Sequence, residues 1–210
     1  MKLFKFLSEE FIAGSIPYED REFYYKQFIE SYQFSYYRDL ANDHKTQSVF
    51  FTEHSIRMFG IEFNAQPETI IKNLGKPRLQ SFYQQQGYKT GISFFKRDFG
   101  NYNSVIQAHT VNNQFVYGAI SVLRKEEYII HILKQILSTK YHVNLNNIDL
   151  GGVKIKDRED NIIIFKNVFY PTLIYLTGDL KNLLPEIKTD IDLHANVNIN
   201  KTIKDWSKWL

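Results

Sequence analysis

Residues 88–123, YKTGISFFKRDFGNYNSVIQAHTVNNQFVYGAISVL, decide the fold class. Three runs rich in β-branched and aromatic residues lie here, about Tyr88–Phe95, Ser104–Thr110 and Gln114–Leu123. Asn101-Tyr102-Asn103 and Asn112-Asn113 separate them as turns. The pattern predicts an antiparallel meander.

Upstream stands Asn64-Ala65-Gln66-Pro67-Glu68, a helix entry. Proline near the first helical position has no amide to leave unpaired, and an early glutamate suits the helix dipole. Ile70, Ile71 and Leu74 give this helix its apolar side, and Gly75 followed by Pro77 closes it. Downstream, Ile129, Ile132, Leu133, Ile136 and Leu137 recur at helical spacing within Lys125–Tyr141. A second set of strands is expected at Val153–Lys156, Ile162–Phe165 and Val168–Leu176, with Asp157-Arg158-Glu159-Asp160-Asn161 and Lys166-Asn167 as turns. Thr177-Gly178-Asp179 turns the chain again.

Farther out the signals are of the same kind. Tyr18–Leu40 contains no Gly or Pro and places Tyr25, Phe28, Ile29, Tyr32, Tyr36 and Leu40 on one helical face. Gln47–Phe51 is expected as a short strand and Ile56–Phe63 as a second. Ile191, Leu193, Ala195, Val197 and Ile199 alternate with polar residues as a half-buried strand would. Ile203, Trp206 and Leu210 share one side of a short terminal helix, which is expected to dock on the protein's own core.

Strand runs between isolated helices mean α+β, with antiparallel β-meanders packed against amphipathic helices. Two helix-plus-meander units, about 64–123 and 125–176, suggest an architectural repeat without residue identity. No Gly/Ser/Pro-rich linker divides the chain, so residues 1–210 are expected to form one continuous domain. Its subdivisions are 1–63, 64–123 and 124–210.

Composition narrows the chemistry. Hydrophobic residues make up 43% and charged residues 23%, which excludes wholesale disorder. No apolar run approaches the roughly 20 residues that a membrane helix needs. The absence of cysteine excludes disulfides, thiol nucleophiles and Cys-ligated metals. The opening Met-Lys-Leu-Phe-Lys-Phe-Leu-Ser-Glu-Glu turns acidic early, so no signal peptide and a cytoplasmic location are expected.

The net charge of +3 hides a segregation. Residues 1–60 carry 7 basic and 9 acidic groups, residues 61–125 carry 8 and 3, and residues 126–210 carry 11 of each.

Pro67-Glu68-Thr69-Ile70-Ile71-Lys72-Asn73-Leu74-Gly75-Lys76-Pro77, followed by a meander, resembles a helix/Gly-Lys-Pro/sheet unit. That unit is found in the family of the β-lactamase inhibitor proteins and the small lipoprotein of the outer-membrane barrel-assembly machinery. The resemblance covers about residues 64–123. It implies a non-catalytic protein that binds other proteins through its sheet face. This chain lacks the lipid-bearing cysteine of the secreted members.

Catalytic signatures are missing. Gly75-Lys76 is followed by Pro77 and lacks the first glycine of a phosphate loop. Gly91-Ile92-Ser93-Phe94-Phe95 lacks the last glycine of a nucleophile elbow. Asp190, Asp192 and His194 share a strand face at period two, which is also how a solvated face reads. Asp157–Asp160 lacks the glycine and glutamate of a calcium loop and reads as a charged hairpin turn. No catalytic residue, metal or cofactor is therefore assigned. Glu53-His54 and His109 remain the acid–base candidates for an enzyme without a local motif.

The basic segment is the best-posed signal. Lys76, Arg78, Lys89, Lys96 and Arg97 interleave with Tyr83, Tyr88 and Tyr102, and form the candidate partner-binding set. An acidic protein partner fits the charge, in the manner of an immunity or inhibitor protein that neutralises one target. The alternative is nucleic acid held by residues 72–125, with rings stacking on bases. Phe94 and Phe95 are adjacent, so on a strand only one of them can face outward.

Overall fold

Pro67 and Gly75 bound the helix that the sequence marks most clearly. In the computed structural model, helix Pro67–Leu74 begins at the proline and ends at Gly75, whose φ is 85°. The Gly75 amide donates to the Ile71 carbonyl at 2.8 Å. That backbone conformation suits glycine and strains any residue with a Cβ.

The structure describes residues 34–41, 48–85, 87–99, 102–124, 127–146, 148–167 and 170–183. In chain order the elements are α1 (Phe34–Ala41), β1 (Ser48–Phe51), α2 (Pro67–Leu74), β2 (Leu79–Gln85), β3 (Tyr88–Phe99) and β4 (Tyr102–Val111). There follow β5 (Gln114–Val122), α3 (Glu127–Tyr141), β6 (Val153–Lys156), β7 (Ile162–Asn167), β8 (Pro171–Leu176) and the single turn α4 (Leu180–Leu183). No helix among the described residues is long and apolar enough to cross a membrane.

The class is α+β, as the pattern predicts, and the strands among the described residues join one sheet of eight in the order β1-β6-β7-β8-β5-β4-β3-β2. Meander β2–β5 and meander β6–β8 meet where β5 pairs antiparallel with β8, from Tyr117↔Leu176 to Ser121↔Thr172. Ser121 and Thr172 add a hydroxyl pair across that seam at 2.9 Å. Among the described strands only β1 is parallel to its neighbour, pairing Ser48–Phe51 with Val153–Lys156 of β6.

Both faces of the sheet are buried over its central strands, while Val49 and Phe51 of β1 and Phe82 of β2 stay exposed at its edges. On one face α2 gives Ile70 and Leu74, and α3 gives Ile129, Leu133, Leu137 and Tyr141. They pack with Ile56, Met58 and Ile61 over Phe95, Ile106, Phe115, Ile163 and Tyr175. On the other face Tyr37 and Leu40 of α1 pack with Val111, Tyr117, Ile164, Ile174 and Leu176. Phe94 and Phe95 therefore point to opposite faces and are both buried, so neither faces solvent.

Thr52 ties the sheet to α3. Its amide donates to the Lys156 carbonyl at 2.9 Å, and its hydroxyl donates to the Tyr141 carbonyl at the helix end at 2.8 Å. His142 follows with φ of 52°, and the Val143 amide returns to the Ser138 carbonyl, a Schellman-type stop without glycine.

Several expectations change. Ile56–Phe63 is not a strand: only Met58 and Ile61 bridge, around a turn at Phe59 and Gly60, both with positive φ. Tyr102 and Asn103 belong to β4 rather than to a turn, because β3 continues to Phe99 and pairs with them. β2, unanticipated, forms the second edge of the sheet among the described strands. Residues 18–33, the alternating run 191–200 with Asp190, Asp192 and His194, and the terminal segment 202–210 lie outside the described residues.

The side chains of α3 supply a direct check. Leu137 is buried, whereas Ile136 beside it is half exposed. Leu137→Ala is expected to lower stability by about 2–4 kcal/mol and Ile136→Ala by under about 1 kcal/mol. Urea unfolding of both variants measures the contrast, and equal losses would show that α3 is rotated about its axis.

Candidate functional site

The predicted partner-binding residues divide between the two ends of the β2–β3 ladder. Lys76 and Arg78 lie in the link from α2 to β2, and the Arg78 amide donates to the Phe94 carbonyl at 2.7 Å. Lys96 and Arg97 lie near the end of β3 beside them, and Tyr102 starts β4 at the same end. Lys72 in the last turn of α2 joins this group. Tyr83, Tyr88 and Lys89 lie at the other end, where Tyr83 is opposite Thr90 and Tyr88 opposite Gln85.

Their environments also differ. Lys72, Lys76, Arg78, Lys89 and Lys96 are exposed, and none of them forms an ion pair among the described residues. Arg97 is exposed but engaged: its guanidinium donates to the Asn73 carbonyl at 2.8 Å and lies 6.0 Å from the centre of the Phe59 ring. Tyr102 meets Tyr128 of α3 through both rings and hydroxyls. Tyr88 packs on the core of the second face, and the Lys89 amide donates to the Asn112 side chain at 3.1 Å. The structure thus gathers cations at one sheet end, where Tyr102 is engaged by Tyr128 rather than open.

A polar cleft of about 460 Å³ lies toward the other strand ends, between residues 55–64 and the two turns after β6 and β8. Its origin is a β-bulge. The β4–β5 register shifts between His109 and Thr110. Beyond the shift Phe115 exchanges hydrogen bonds with Asn64 and Ala65, while the Val116 carbonyl accepts from Thr177. Two chain segments thereby leave β5 in different directions, and the cleft opens between them.

One carboxylate fixes its walls. Asp157 is buried and accepts from the Ile56 amide at 2.8 Å, the Glu159 amide at 2.9 Å and the Asn161 amide at 3.0 Å. It also accepts from the Asn161 side chain, whose oxygen accepts in turn from the Gly178 amide at 3.0 Å. Gly178 is needed there, since a Cβ would lie 2.3 Å from the Glu159 carbonyl oxygen.

The cleft's acidic groups are already committed. Glu62 pairs with Arg57 at 2.7 Å and Asp160 with Lys156 at 2.8 Å. Glu159 and Asp179 accept from Asn161 and Asn182. No group of three or more His, Asp or Glu is placed to hold a metal ion among the described residues. Sequence reading found the Asp157–Asp160 turn but not the cleft, because residues 55–64 and 177–179 reach it only through the fold.

The two acid–base candidates occupy opposite environments. His109 is fully buried, with Tyr37 on Nδ1, Gln107 on Nε2 at 2.5 Å, and Tyr117 at 4.4 Å between ring centres. Burial pulls its pKa down to about 3, so the ring is neutral. Both nitrogens are occupied, and no substrate reaches either in this conformation. His54 is exposed and stacks on His142, with ring centres 4.5 Å apart. Its neighbour Glu53 pairs instead with Arg158.

Two outcomes follow from these buried polar groups. His109 titrates near 3 when folded and near 6.5 when unfolded. The lower folded value means that its contribution is complete above about pH 6.5 and is lost as pH falls toward 3, at up to about 1.4 kcal/mol per pH unit. His109→Gln should flatten the fall in unfolding free energy between pH 6 and 4, and an unchanged slope would show that the ring is not buried neutral. Asp157→Ala should cost about 3 kcal/mol, since it strands several buried amides. A loss under about 1 kcal/mol in urea titration would mean that water satisfies those donors.

No protein-family model, no curated protein and no solved structure matches this chain, so its function is argued from the geometry above.

Proposed function

We propose that this chain is a protein-binding module that engages an acidic partner at the end of its sheet where Lys72, Lys76, Arg78 and Lys96 gather. The observation that carries this reading is a set of exposed cations, without ion pairs among the described residues, beside an uncharged edge strand. Such a field speeds the encounter with an acidic surface and opposes a basic one. A role of the immunity or inhibitor type, neutralising one target protein, fits a chain of this kind.

The mode differs from binding through a sheet face, which the family resemblance implies. A partner on either face would have to displace the layers that bury Ile174 on one side and Phe95 and Ile163 on the other. The accessible routes are the sheet edge and the outer helix surfaces.

Burial also favours protein over nucleic acid. Phe94 and Phe95 are sealed, Tyr88 is packed and Tyr102 faces Tyr128, so these rings do not form a stacking platform beside the cations. Single-strand binding draws on such platforms as well as on charge.

An affinity pull-down of the full chain from its native cell extract, with and without nuclease and at two salt concentrations, tests the reading. One acidic protein should survive nuclease, and its recovery should fall by about tenfold in a Lys76→Glu/Arg78→Glu variant at physiological salt. Recovery of nucleic acid alone, lost on nuclease treatment, would replace this reading with the alternative.

A further inference from the structure

We propose that β2 is a docking strand that accepts an extended acidic segment of a partner protein, adding a further strand to the sheet. The inference rests on the protein-binding reading above and specifies how that partner is held.

The two sheet edges are built differently. β1 is four residues long, and so short an edge offers little to pair with. β2 is seven residues long, Leu-Gln-Ser-Phe-Tyr-Gln-Gln, and pairs with β3 without a register break from Leu79↔Phe94 to Gln85↔Tyr88. It contains no charged residue, no proline and no bulge, the devices by which edge strands usually resist pairing. Every second residue of such a strand turns its N–H and C=O away from β3, its one ladder partner among the described residues.

Phe82 gives this edge an apolar contact point. It lies opposite Gly91, and a Cβ on Gly91 would be 2.9 Å from the Phe82 ring. The ring therefore occupies the room that a side chain on β3 would fill, and it remains 41% exposed. Gln80 shares its face of β2, tied to Ser93 by a 3.0 Å hydrogen bond. A side chain on an added strand would meet Phe82 as a cross-strand neighbour.

Charge selects the occupant. Lys76 and Arg78 precede β2, and Lys89 stands at its far end. Two copies paired antiparallel about Phe82 would bring Lys76 and Arg78 of each toward the turn that carries Lys89 of the other. Like charges across a strand pair oppose that arrangement. A segment with acidic residues at both ends and small β-formers at its centre meets all of these groups favourably, as strand addition requires.

The test uses the full chain and an end-capped peptide with alternating valine and threonine at its centre and glutamates at both ends. The expected result is saturable binding, with amide hydrogen exchange within Leu79–Gln85 slowed about tenfold or more. N-methylation of alternate peptide residues should weaken binding about tenfold, because it removes main-chain donors and leaves the charge unchanged. Phe82→Ala should weaken it by a similar factor, with unaltered hydrogen exchange in β4 and β5 of the free variant showing that the fold is kept.

Equal affinity for the N-methylated peptide, or unaltered exchange in β2, would overturn strand addition and leave charge-driven protein binding standing. Absence of peptide binding would also overturn it, and an empty pull-down would then remove the broader reading as well. Protection of β2 by self-association, seen as a concentration-dependent dimer, would overturn the acidic occupant in favour of a second copy.

Discussion

The antiparallel seam between β5 and β8 is the constraint on which the rest depends. It joins strands from two meanders that the chain builds on either side of α3. Without it each meander would keep an open edge and a half-sized apolar face. With it, Ile106, Phe115, Ile163 and Tyr175 lie under one helical layer. The seam also sets the register of everything beyond it, since a slip by one residue would exchange the two buried faces. The bulge at Val116 follows from the same arrangement. It lets Val116 bond to Thr177 while Phe115 bonds to Asn64 and Ala65, so β5 leaves the ladder without an orphaned amide at Phe115.

How far the sequence could be read depended on what kind of partner each segment has. Helix α2 was legible because its start and stop are local: Pro67 and Gly75 act through their own backbone. The β3–β5 meander was legible because Asn112 and Asn113 adopt positive φ, as the turn demands. β2 was missed because Gln80, Gln84 and Gln85 blur its alternation, and only pairing with β3 makes it a strand. Burial of both sheet faces did leave a trace, in Ile162-Ile163-Ile164-Phe165 and in Phe94-Phe95. Apolar runs without alternation mark strands covered on two sides. For the site residues, composition found the cations but not their division between two sheet ends. No local rule could pair His109 with Tyr37, which is 72 positions away.

Polar burial in this protein has a consistent logic. Asp157 accepts from three main-chain amides and one side chain, and His109 has a partner on each nitrogen. Each sits where segments distant in sequence must be held in one relative position. Asp157 joins residue 56 to the β6–β7 turn, and His109 joins α1 to β4. Apolar packing tolerates small slides between such segments, whereas a fully partnered polar group admits one arrangement. The exposed charge on Lys76, Arg78 and Lys96 forms no ion pair among the described residues and plays no comparable part there.

The parallel pairing of β1 with β6 carries a consequence for the order of assembly. Ser48 meets Val153, more than a hundred residues later in the chain. During synthesis β1 therefore emerges long before β6, its ladder partner, exists. The β2–β5 meander, whose contacts are mostly between neighbours in sequence, can form in that interval. Closing the long loop to β1 has to wait until β6 and Tyr141, which Thr52 clasps, have been made. The same edge should be the first to open under native conditions, a latch set last and released first.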